Sequence, residues 1–150
     1  MLRRNGKVVK AVFGVVAALA MAVLMVGCSQ PQELTPELEL QLQERAAKRW
    51  HLIIAKDYEG AWELMTPNYR RVFPKHLYSK NFSEMLDREL TEVEVLTYDA
   101  DAAVASVAVR VMSKPIKFTS AASKAIGALP ATIFEQWILI DGQWWYSVKV

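Results

Sequence analysis

The sequence predicts an α+β fold, with N-terminal helices packed on one face of an antiparallel sheet. Three observations point there. Between Leu38 and Phe73 the apolar residues recur every three or four positions, the spacing of a helical face. Beyond Arg88 they recur every second position, the spacing of a half-buried strand. Near the C-terminus, Asp141-Gly142 separates two β-rich runs and is a strong hairpin signal, because both residue types tolerate positive φ. With 150 residues, 53% of them hydrophobic, and five each of Trp, Tyr and Phe, the chain can bury one core, and its single Cys excludes a disulfide scaffold.

The elements follow in order. Thr35-Pro36-Glu37 reads as N-cap, first-turn proline and first-turn acid, so a long helix is expected to start there. Leu38, Leu42, Ala46, Trp50 and Ile53 form its apolar stripe, with Glu44, Lys48 and His51 on the far side. Asp57 can cap a second helix in which Tyr58, Ala61, Trp62 and Met65 share a face, and Thr66-Pro67 ends it. Asn68 to Phe73 is expected to form a further short helix, stopped at Pro74. In residues 75–88, Tyr78, Phe82, Met85 and Leu86 fit one helical face, although no cap marks a start.

Val93, Val95 and Thr97 then alternate with Glu92, Glu94 and Leu96, and Val107, Val109 and Val111 alternate with Ser106, Ala108 and Arg110. Asp99-Ala100-Asp101 joins these two strands. Thr132 to Ile140 is a third strand and Gln143 to Val148 a fourth. Ser113 to Ala131 reads as extended hairpin ends with a loop, in preference to a short helix. In the third strand Phe134, Ile138 and Ile140 alternate with Ile133, Trp137 and Leu139, so both faces are apolar. That pattern favours a sheet covered on both sides, by a second copy or another envelope protein.

The N-terminus differs from the rest. Arg3, Arg4, Lys7 and Lys10 precede an apolar run, Ala11 to Gly27, that holds no charge, the layout of an export signal. Its ending, Leu24-Met25-Val26-Gly27-Cys28, resembles the lipobox of bacterial lipoproteins, in which a small residue precedes a cysteine that receives diacylglycerol and becomes the mature N-terminus. Gly27 and Cys28 match that pattern, while Met25 stands where Leu is usual. The competing reading is an uncleaved helical anchor, since the 17 apolar residues lie at the short end of what spans a bilayer. The polar Ser29-Gln30-Pro31-Gln32 after Cys28 favours lipidation. By the same resemblance, Ser29 directly after the cysteine implies the periplasmic face of the outer membrane.

The expected organisation is therefore a signal peptide over residues 1–27, the lipidated cysteine with a flexible tether over 28–36, and one domain over 37–150. A seven-residue polar tether would reach only about 15 Å, which keeps the domain close to the lipid surface. From Cys28 onward 14 basic residues meet 16 acidic ones, a net −2, so the domain has no electrostatic case for nucleic acid.

Two stretches, Asp57-Tyr58-Glu59-Gly60-Ala61-Trp62-Glu63-Leu64-Met65-Thr66-Pro67 with Tyr69-Arg70, and Glu135 to Tyr146, resemble the nuclear transport factor two-like superfamily. That resemblance implies a cone, with a strongly curved sheet wrapped around the long helix and a cavity at the open end. Tyr58, Trp62, Tyr69, Phe73, Trp137 and Trp145 would then be candidates for the cavity wall. The superfamily hosts isomerases, dehydratases, transport factors and inert modules, so fold alone implies no activity.

Asp57, Tyr58 and Tyr69 are the nominees for a general base, and helix capping accounts for Asp57 without catalysis. No catalytic residue is assigned, and the expected role is a binding or interaction module, with a small-molecule isomerase- or dehydratase-type enzyme using the cone cavity, or a structural subunit of an envelope complex, as the alternatives. His51 and His76 lack partners at metal-ligand spacing, so no metal and no cofactor are expected. Arg70, Arg71, Lys75, His76 and Lys80 form the densest basic patch, read as a solvated face or a contact for anionic headgroups or an acidic partner.

Overall fold

The long helix begins where its capping signals stand. In the computed structural model, which describes residues 31–117, 125 and 127–148, α1 spans Pro36–Ile54. Thr35 Oγ1 accepts from the Leu38 amide at 3.3 Å, and Pro36 occupies the first turn, where its missing N–H costs nothing. Leu42, Ala46, Trp50 and Ile53 are buried, as the stripe requires, and His51 is exposed. The signal-peptide, Gly27 and Cys28 expectations lie outside the described residues.

Helix α2 is short, Tyr58–Trp62, and is capped by Asp57, whose Oδ1 accepts from the Gly60 amide at 2.9 Å. A Cβ at position 60 would meet the Asp57 carboxylate that makes the cap, so any larger residue there would have to displace it. Helix α3 spans Pro67–Val72, with Thr66 Oγ1 accepting from the Tyr69 amide at 3.3 Å. A 3₁₀ helix follows over Lys75–Asn81, without a side-chain cap. The expected helical face across Tyr78, Phe82, Met85 and Leu86 is therefore corrected. Tyr78 is buried, but Met85 is 50% exposed and Leu86 already pairs with Pro115 in the sheet. The 3₁₀ turn is too short and uncapped to outcompete the strand ladder for those residues.

The sheet is a four-stranded antiparallel meander in the order β1-β2-β3-β4, over Leu86–Asp99, Val104–Pro115, Leu129–Ile140 and Gln143–Ser147. Strands β2 and β3 take up both ends of the segment read as an insertion. Two register shifts in β1, between Leu90 and Glu92 and between Val95 and Thr97, correct the expected alternation. Val93 and Val95 stay opposite buried Val109 and Val107, but after the second shift Tyr98 packs against the core and Thr97 is exposed. Each bulge adds one unpaired residue and inverts the phase of the strand beyond it, which also sharpens sheet twist. The β3–β4 turn places Asp141 at φ 51° and Gly142 at φ 75°, the left-handed pair the dipeptide foretold.

One face of the sheet carries the core, where Val107, Val109, Val111 and Trp137 meet Leu42, Ala46 and Ile53 of α1. The free edge of β4 is closed by the α2–α3 connection: Thr66 N donates to Tyr146 O at 3.1 Å and Tyr146 N to Leu64 O at 2.9 Å. That pairing removes an open edge and seats α2 and α3 beside β4. On the opposite face, Phe134 is 63% exposed, with Ile138 and Ile140 half-buried along the same strand.

Candidate functional site

A charged pair sits inside the core. Arg49 lies on the buried side of α1 between Ala46, Trp50 and Ile53, and Glu135 occupies an inward position of β3 two residues before Trp137. They are 4% and 2% exposed and form an ion pair at 2.5 Å, Arg49 Nη1 to Glu135 Oε1. The carboxylate also accepts from Trp50 Nε1 at 2.8 Å on Oε1 and from Trp137 Nε1 at 2.9 Å on Oε2. Arg49 Nη2 donates to the Tyr78 hydroxyl at 3.1 Å, and that hydroxyl donates to Met65 Sδ at 3.2 Å. The guanidinium carbon lies 3.7 Å from the Tyr146 ring centroid, a cation–π contact in a desolvated place.

This network ties α1, the 3₁₀ helix, β3 and β4 together in one bonded unit. Burial opposes the charge on Arg49, yet Glu135, Tyr78 and Tyr146 together hold its pKa above the ordinary guanidinium value. Three donors occupy the Glu135 carboxylate, so its oxygens are committed to the scaffold. Arg49 Nε is buried without a partner. The arrangement orients four elements and stabilises a fixed interior charge pair; it does not present a free base to a ligand.

The six aromatics nominated for the cavity wall fall into three groups. Tyr58 is buried and stacked on Phe82 with centroids 5.0 Å apart. Trp62, Tyr69 and Phe73 form a half-buried cluster, with Trp62 Nε1 donating to Phe73 O at 3.0 Å and the Tyr69 and Phe73 rings stacked at 5.0 Å. Trp137 is fully buried against Tyr146, and Trp145 lies in the other phase of β4. Among the described clefts only Tyr58 of these six contributes a wall, to one cleft with Leu86 and Ile116 and another with Lys75 and His76. Of the nominated bases, Asp57 is the α2 cap, Tyr58 is core, and burial pushes the Tyr69 phenol above its usual value. Among the described residues no group of three or more His, Cys, Asp or Glu gathers at metal-binding distance.

The basic patch is divided by its own carboxylate. Glu63 accepts from Arg70 at 2.9 Å and from Lys75 at 2.5 Å, and these cations, Lys75 first, hold its carboxyl below the usual range. Arg71 donates to Asn68 Oδ1 at 2.6 Å. Arg70 turns instead toward the β4 side of the domain: its guanidinium lies 4.9 Å from the Trp145 ring centroid, and Arg45 lies 5.0 Å from the same ring. Arg45 also borders a cleft of about 320 Å³ lined by Gln41, Glu44, Lys48, Gln143 and Trp144.

Arg49 and Glu135 were absent from the sequence candidates, although a signal existed for each. Arg49 breaks the apolar stripe of α1, and Glu135 is the single acid in Thr132 to Ile140, in phase with Ile133, Trp137 and Leu139. A charge in the buried phase of an element calls for a partner in the buried phase of another.

No protein-family model matches the chain, and no curated protein matches it. Among solved structures, the chain is similar to Aln2 from a Streptomyces species, at 13% identity and a TM-score of 0.46, over 75% of this chain and 87% of that chain.

Proposed function

We propose that the protein is a lipid-anchored envelope lipoprotein whose cone-type, nuclear transport factor two-like domain acts as a non-catalytic binding or protein-interaction module. The observation that carries the reading is the interior. Where a cone-shaped enzyme of this kind needs an accessible acid or base, this chain holds Glu135 in a closed set of bonds to Arg49, Trp50 and Trp137. The interaction reading is supported by the sheet face away from the helices, where Phe134 stands exposed with Ile138 and Ile140 half-buried along the same strand.

The anchor reading rests on Gly27-Cys28 behind an uncharged run and on the polar residues after it. Metabolic labelling with an alkyne-tagged palmitate, followed by membrane fractionation, tests it. The wild-type chain takes up label and sediments with outer membrane, and Cys28→Ala accumulates as unlabelled precursor. Equal labelling of the two would overturn the anchor. For the module, a photo-crosslinker placed at Phe134 in the native envelope should give one discrete adduct, either a dimer or a heterologous partner. The same crosslinker at exposed Asp101 should give none. Identical patterns at both sites would remove the sheet face from consideration.

A further inference from the structure

Arg45 and Arg70 bring two guanidiniums to one indole. Both lie within 5.0 Å of the Trp145 centroid, and together they have one carboxylate, Glu63, bonded to Arg70 and shared with Lys75. Among the described residues Arg45 makes no ion pair; the Gln143 amide oxygen, in the orientation its neighbours select, accepts from its Nη1 at 3.0 Å and Nη2 at 2.9 Å. A neutral amide leaves the charge uncompensated. Burial, and after it the Arg70 charge, hold the Arg45 pKa below its ordinary value, so the two cations repel one another in a partly desolvated place. The Nε atoms of both arginines are buried without partners. Arg45 also lines the 320 Å³ cleft, whose other charged walls are one acid, Glu44, and one base, Lys48.

The pair is short of countercharge: the one carboxylate serves Arg70 and Lys75, and none serves Arg45 among the described residues. One carboxylate satisfies one guanidinium fork, whereas a phosphate group, with four oxygens disposed tetrahedrally, can accept from two at once. We propose that Arg45 and Arg70, with Trp145, form a binding site for a phosphate oxyanion beside β4. Two sources present that chemistry, a phospholipid headgroup and a soluble phosphate compound. The inference stands on this cluster and does not depend on the proposed anchor. It narrows the broad basic patch to the two cations over Trp145, since Arg71 is engaged by Asn68 and Lys75 lies over the Trp62 ring at 5.2 Å.

The test uses the full chain in neutral maltoside micelles, with ¹⁵N-labelled arginine and tryptophan side chains followed by NMR. Three probes are titrated: inorganic phosphate, short-chain phosphatidylglycerol and short-chain phosphatidylcholine. The expected result is saturable movement of the Arg45 and Arg70 Nε–H signals and the Trp145 indole signal. Movement with inorganic phosphate supports a site for soluble phosphates, and movement with phosphatidylglycerol alone supports a headgroup site. Affinity should fall about tenfold or more in Arg45→Gln and in Arg70→Gln, as expected for losing one charge-assisted fork, and recover only partly in Arg45→Lys. Lys48→Gln should bind within about twofold of wild type. Unmoved signals with all three probes overturn the proposal in the wild-type chain, whatever the variants do. So does an equal loss in Lys48→Gln, which would reduce the effect to diffuse surface charge.

Discussion

Arg45 and Arg49 stand one turn apart on α1 and each lies over an aromatic ring of β4, Trp145 for the first and Tyr146 for the second. Their surroundings differ. Arg49 meets a buried carboxylate, two indole donors converge on that same carboxylate, and a tyrosine takes its remaining fork. Arg45 meets a neutral amide and a second arginine. The contrast separates two uses of one residue type. A guanidinium with its countercharge supplied by the chain orients elements, and one whose countercharge is missing is available to something outside the chain.

The sharpest way to break this contrast is at Glu135. Glu135→Ala leaves Arg49 charged, buried and unpaired, and should lower stability by about 3–5 kcal/mol in denaturant unfolding followed by tryptophan emission. A loss under about 1 kcal/mol would mean that water reaches Arg49 and that the interior is not closed. The paired change Arg49→Met with Glu135→Leu should bring stability back to within about 1 kcal/mol of wild type, because it removes both desolvated charges at once. Failure to recover would show that the network, and not the pair alone, holds the fold together.

A pH scan sharpens the deep side of the comparison. Burial raises Tyr146 above its ordinary 10.0, with Glu135, Tyr78 and Tyr69 adding to the rise and Arg49 opposing it. A raised folded-state pKa means the unfolded chain releases its proton first. The contribution is complete below about pH 10 and is lost as pH climbs from there through the raised value. Tyr146→Phe should flatten that alkaline decline while keeping the ring under Arg49. An unchanged profile would place the alkaline sensitivity elsewhere, with Tyr69 and Tyr98 the next phenols to replace, since burial raises both.

The smallest effect is expected at the surface pair. Glu63→Gln breaks bonds to Arg70 and Lys75 where half of the carboxylate side chain is exposed, so stability should change by less than about 1 kcal/mol. The same change should strengthen phosphate binding at Arg45 and Arg70, because it removes the one carboxylate that competes for Arg70. A large loss of stability would instead make Glu63 a structural partner and narrow the difference between the two arginines.

Much of this molecule is written locally. Thr35-Pro36, Asp57 and Thr66-Pro67 each start a helix because capping needs only residues within three positions of one another. Asp141-Gly142 turns the chain because its backbone preference is its own. The stripe of α1 and the alternation of β2 and β3 assign the faces, since period alone decides which side chains share one. The helical face read across residues 75–88 stopped at Asn81, in a 3₁₀ helix, for the opposite reason: the partner that drew Leu86 into a strand, Pro115, lies 29 positions away.

Local chemistry therefore set the order and type of the elements, the helix caps and the last hairpin. Long-range packing settled the phase of β1 after its bulges, the closing of the β4 edge by residues 64–66, and which arginine is neutralised. Arg45 and Arg49 are the same residue type and near-neighbours in sequence. What separates them is whether Glu135, more than 80 positions away, arrives beside the side chain, and a pairing of that range forms only when the sheet is packed against the helix.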